Sequence, residues 1–269
     1  MASHRTAPAT RPALPARAVA VGAAATLVLL AGCDNLSLRR LDFDDVESTR
    51  IARVTVLPGS GDVTVVGSGP AGQVRIKRVL RYHGDQPGAR YEIRGDELVL
   101  DSDCGDRCSI SYEVTAPEGI AVNGETGSGN VVLSRVGVVD VRLGSGNLEI
   151  TRATGPVRAE TDSGNVEVDD VRGPATLRAG SGNVTGSRLG GQVDAETDSG
   201  DVTVELSAPA SVRAHAGSGD VQVVVPAGRY RVRSDVGTGE TELGIVDDPG
   251  APLLLDLAAD SGDVAVTAR

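Results

Sequence analysis

The sequence predicts an all-β protein, a right-handed parallel β-solenoid with about 18 residues and two short strands per coil. Three observations carry this reading. Glycine-centred turns recur at a near-constant interval. Apolar residues alternate at period two on both sides of each turn. Large rings are scarce, with one Phe, four Tyr and no Trp in 269 residues, so Val, Leu, Ile and Ala must fill a narrow, layered interior.

The turns run from Gly59-Ser60-Gly61-Asp62 through Gly127-Ser128-Gly129-Asn130 to Asp260-Ser261-Gly262-Asp263. The last eight central glycines are 17, 18, 18, 18, 19, 20 and 23 residues apart. Seven residues before the nine central glycines, Gly61 included, stand Val54, Val122, Val139, Val157, Ala175, Val193, Val212, Val232 and Leu255. Two and four residues after them the pattern is again apolar, with Thr241 and Gly186 as exceptions. Alternation on both sides of a turn means two strands, each with one buried face. A second turn holding Gly or Pro, such as Gly155-Pro156 or Gly173-Pro174, closes the repeat. The right hand rests on the general chirality of β crossovers.

Outward charges set the coil length. Four residues before the glycine stand Arg142, Glu160, Arg178, Glu196, His215 and Asp235; six before it stand Asp140, Arg158, Thr176, Asp194 and Arg213. Coils of 18 residues bring opposite charges together, whereas coils of 36 would stack Arg142 over Arg178. In chain order this column places His215 between Glu196 and Asp235.

The turn chemistry follows from its residues. Glycine supplies positive φ, and the next residue, Asn or Asp, can bond local backbone or form a ladder. That column reads Asn130, Asn147, Asn165, Asn183 and then Asp201, Asp220, Glu240, Asp263. If calcium binds, these last four acids are the candidate ligands, because stacked carboxylates repel and a hard cation relieves that. The competing expectation is that they fan into water. No cofactor is expected.

The chain begins with an address. Arg5, Arg11 and Arg17 precede a short apolar stretch, Ala18 to Leu30, that ends in Leu30-Ala31-Gly32-Cys33. This resembles the bacterial lipobox, in which the cysteine is acylated and becomes the mature N-terminus. It implies a lipoprotein signal peptide over 1–32, a lipidated tether over 33–50 with Cys33 as the lipidation residue, and export to the extracytoplasmic face of a membrane. No later apolar run is long enough to span a bilayer. In that oxidising setting Cys104 and Cys108 read as a disulfide; a zinc site would need two more ligands, and only His83 is at hand.

Residues 51–121 fit the period poorly and read as an irregular N-terminal solenoid part or cap, with residues 122–269 as the regular repeats. Strands are expected near 74–78, 90–100 and 109–115. Arg94-Gly95-Asp96 reads as a hairpin turn.

The repeated Ser-Gly-Asp/Asn-Val units and two strand–Pro-x-Gly segments, ending Pro117-Glu118-Gly119 and Pro226-Ala227-Gly228, resemble a bacterial family of β-strand-repeat envelope proteins described as putative adhesins, a domain of unknown function. The resemblance covers residues 50–269. It implies surface adhesion or scaffolding toward an unknown envelope or surface ligand, and it brings no catalytic residues.

A net charge of −11 argues against nucleic-acid partners, which need a basic face. Two alternatives to an adhesin are an accessory protein of envelope-stress signalling beside a membrane sensor and a polysaccharide-active β-solenoid enzyme. The enzyme reading is the poorer one. Acids alternate with arginines, rings for sugar stacking are few, and His83 and His215 are the only histidines after Cys33.

Overall fold

The computed structural model describes residues 38–88 and 90–269. Cys33 and the 1–32 segment lie outside them. Among the described residues all regular structure is β.

The regular part stacks strand pairs, each pair one coil. They are β8 (Ala121–Ser128) and β9 (Val131–Ser134), β10 (Val139–Ser145) and β11 (Leu148–Ala153), β12 (Val157–Ser163) and β13 (Val166–Val171). β14 (Ala175–Ser181) and β15 (Val184–Leu189), β16 (Val193–Ser199) and β17 (Val202–Leu206), β18 (Val212–Ser218) and β19 (Val221–Val225) follow. Even-numbered strands pair in parallel in one sheet and odd-numbered strands in the other. The register steps by one repeat, with Val139 beside Val157, Val157 beside Ala175 and Ala175 beside Val193. Coils of 18 residues are therefore the observed unit, in two open sheets.

The inner faces are dry. Val157, Ala159, Val166 and Val168 are at most 2% exposed, and neighbouring coils repeat the pattern. Each fully buried Val contributes about 1.5–3 kcal/mol. At Gly186, the gap in the apolar column, Leu189 supplies the missing volume: a Cβ on Gly186 would lie 2.7 Å from Leu189 Cδ1. The closing turn places Arg135, Arg152, Asp170 and Arg188 at φ of 51–59°, one above another in successive coils.

The N-terminal part comprises β1 (Arg39–Glu47), β2 (Arg53–Leu57), β3 (Val63–Gly67), β4 (Val74–Tyr82), β5 (Arg90–Arg94), β6 (Glu97–Asp101) and β7 (Cys108–Ala116). Residues 39–47, read from sequence as tether, form β1 instead, because Leu41 and Phe43 pack against the core while Asp44 pairs with Arg75. The β2–β3 coil stacks directly on β8–β9, and β6–β7 lies outside it. Antiparallel β4, β1 and β5 finish this end. Gly95, at φ 67°, makes the β5–β6 turn.

The other end departs from chain order. β20 (Tyr230–Thr238) and β21 (Thr241–Leu243) do not stack on β18–β19; β22 (Leu253–Ser261) and β23 (Val264–Ala268) lie between them. The inner residues explain why. Leu255, Leu257, Ala259, Val264 and Val266 are 0–1% exposed and complete an interior coil. β20 and β21 carry Ser234 and Thr241 on the inner face, where their hydroxyls lie 3.0 Å apart. Both residues are exposed, and a coil lacking apolar side chains at these two positions leaves the least core unfilled at the end of the stack.

Candidate functional site

The outer face of the even-numbered sheet carries the ion pairs expected from sequence. Glu160, 13% exposed, is held between Arg142 and Arg158. Arg178 meets Asp194 at 3.2 Å and also Glu196. His215 does not sit between Glu196 and Asp235 as chain order suggested. Its sheet neighbour is Ala258, since β22 intervenes, and its Nε2 lies 3.3 Å from Asp260 while Nδ1 is 3.8 Å from Glu196.

The ridge of glycine turns is bonded end to end. Asn147 N–H donates to Asn130 Oδ1 at 3.0 Å, Asn165 N–H to Asn147 Oδ1 at 3.0 Å and Asn183 N–H to Asn165 Oδ1 at 2.9 Å. The chain of bonds begins at Asp62 and continues through Asp201, Asp220 and Asp263 to Glu240. Only one acceptor oxygen is needed, so Asn and Asp are interchangeable. Asp201, Asp220 and Asp263 thus cap the backbone of the next coil, and the order Glu240 then Asp263 is reversed in space. Among the described residues no group of three or more His, Cys, Asp or Glu is placed to hold a metal. Sequence reasoning missed the threonines beneath the ridge. Thr161 and Thr197, 2% and 0% exposed, donate to Gly146 O at 3.2 Å and Gly182 O at 2.8 Å. Their signal was a threonine recurring three residues before the glycine in alternate repeats.

A second constellation closes the N-terminal end. The Arg78 guanidinium lies 4.7 Å from the Phe43 ring and 5.0 Å from the Tyr91 ring, and pairs with Asp45 at 2.6 Å. Tyr91 donates to Glu47 at 2.5 Å. Burial and that acceptor push the Tyr91 hydroxyl up to about 12. A half-open cavity of about 540 Å³ adjoins, lined by Leu57, Tyr91, Arg94, Val99 and Asp101.

Cys104 and Cys108 are joined as a disulfide. His83 lines the same surface hollow, and its backbone N–H donates to Arg107 O at 3.1 Å.

The fold and these surfaces define a parallel β-solenoid whose chemistry repeats along its length. The family model described as Toastrack DUF4097 matches residues 45–267, and the chain belongs to that family. Among solved structures it is similar to a "putative adhesin" from Bacteroides fragilis, at 14% identity over 88% of this chain and 99% of that one, with a TM-score of 0.45. It is also similar to a "putative cell adhesion protein" from Clostridium sporogenes, at 13% identity over 86% of this chain and 100% of that one, with a TM-score of 0.29. No curated protein matches it.

Proposed function

We propose that the protein is a non-catalytic adhesin or scaffold of the cell envelope, exported, held to a membrane by acyl chains on Cys33, and binding an envelope or surface partner. One observation carries this reading: the Ser-Gly-Asn/Asp ridge recurs once per coil along the regular stack and is bonded end to end. Such an array suits a repetitive or extended partner better than a single small substrate. Arginines and acids pair on this face, and His215 Nε2 lies 3.3 Å from Asp260.

The test is binding of residues 34–269 to whole cells and isolated cell wall, with and without EDTA. Saturable binding unaffected by EDTA is the expected result. No binding to any envelope fraction would sink the adhesin reading and shift weight to a membrane-protein partner beside the anchor. Loss of binding in EDTA would restore a calcium role to the acidic ridge.

A further inference from the structure

The insertion of β22–β23 has a consequence for association between copies. This coil is hydrogen-bonded on both sides, to β18 and β19 and to β20 and β21. It fills a slot whose outer wall, β20–β21, has no other strand pair to stack on among the described residues. The wall reaches its place by a crossing of four residues, Pro226 to Arg229, between β19 and β20.

Two outward columns fit the slot to this coil, while the column four residues before the glycine runs His215, Ala258, Asp235. Six residues before the central glycine the spatial order is Asp194, Arg213, Asp256, Arg233. Two before it the order is Asp198, Gly217, Asp260, Gly237. Direct stacking of β20 on β18 would set Arg233 against Arg213 and leave Gly237 over Gly217. The slot therefore specifies the β22–β23 sequence and disfavours closure without it.

The hinge is the stretch between β21 and β22, residues 244–252. It is exposed over most of its length, and Val246 is 88% exposed. Its contacts to the neighbouring strands include Asp247 Oδ1 accepting Val232 N–H at 2.8 Å, Asp248 N–H donating to Tyr230 O at 2.9 Å, Asp248 pairing with Arg229 at 2.6 Å, and Gly244 N–H donating to Val266 O at 2.7 Å. At the far side of the insert, the Arg269 side chain meets Glu205 and donates to Leu206 O at 3.0 Å. Every one of the sheet contacts can be made identically by a coil from another molecule. Only the hinge differs between the two arrangements.

We propose that β22–β23 is an exchangeable coil, and that the slot takes the same coil from a second copy of this chain to give a reciprocally swapped dimer. The partner is thus this chain itself, recognised by its Leu255 and Leu257 side chains and by Asp256 between two arginines.

Cross-strand cysteines test it. His215 and Ala258 are paired neighbours across β18 and β22, at a strand spacing compatible with a disulfide. The full chain carrying Cys33→Ser is made in two tagged forms, one with His215→Cys and one with Ala258→Cys. The two are unfolded together, refolded at high concentration and oxidised. The expected product is a disulfide-linked heterodimer that increases with protein concentration. It is absent when Thr176→Cys, in the middle of the stack, replaces His215→Cys. The double variant His215→Cys/Ala258→Cys shows in one chain that the pair can close. Closure in the double variant without a linked heterodimer from the mixed single variants would overturn the proposal. So would linkage no greater than that of the Thr176→Cys control.

Discussion

Arg213 stands beside Asp256, and Arg233 lies beyond it on the far side. In the chain Arg233 comes first. In this column, six residues before the central glycine, charge alternates at this end only because the later coil moved inward, so the column and the core composition select the same order.

This relationship predicts the effect of charge reversal. D256R sets a third arginine between Arg213 and Arg233. Each adjacent like-charge pair costs a few tenths of a kcal/mol to about 1 kcal/mol at an exposed site. Urea midpoints should fall, less so at high salt, and recover in part when Arg233→Asp is added, which restores opposite charges on that side. An unchanged midpoint would mean that the column does not contribute to register.

The turn ladder makes a sharper distinction. Asn165 Oδ1 accepts the Asn183 N–H, and aspartate offers the same acceptor. Asn165→Asp should therefore change stability by no more than about 0.5 kcal/mol, while Asn165→Ala should cost about 1 kcal/mol. Thermal melts of the two variants check this; equal losses would show that the amide nitrogen matters.

Gly164 is among the positions least open to substitution. Its φ is 134°, and a Cβ would lie 2.1 Å from Gly146 O in the neighbouring coil. Backbone must move, so Gly164→Ala should cost upward of about 3 kcal/mol or prevent folding. Ser163→Ala, one residue away and exposed, serves as the comparison and should be near neutral.

Alkaline pH should loosen the N-terminal end. Folding raises the Tyr91 hydroxyl to about 12, so the folded state favours the protonated form. That contribution is complete below an unfolded value of about 10 and is lost as pH rises through about 12. Urea midpoints between pH about 9 and 11.5 should fall in the parent. They should fall less steeply in Tyr91→Phe, which keeps the ring beside Arg78. Parallel curves would remove Tyr91 as the cause.

Legibility differed by region for physical reasons. The 18-residue coil was readable because apolar and turn residues stack on their counterparts one repeat on while outward charges stack on opposite ones. The Cys104–Cys108 pairing was readable from spacing and setting. β1 was not, because Asp42, Asp44 and Asp45 make the segment look like solvent-exposed chain until Arg75 and Arg78 are brought opposite. The Arg78 cluster was equally hidden, since its members lie on β1, β4 and β5 and share no motif. The inserted coil left traces in the sequence, the hydroxyls of Ser234 and Thr241 among them. Chain order nonetheless gave no reason to move it.

By itself the sequence determined the strands, the turns, the inner faces and the stacking interval, all of which follow from local periodicity repeated many times. Only the tertiary structure decided which coil neighbours which at the two ends. That choice depends on contacts between segments distant in the chain. The best-packed coil moves inward, and the coil with hydroxyls in its interior remains where water can reach it.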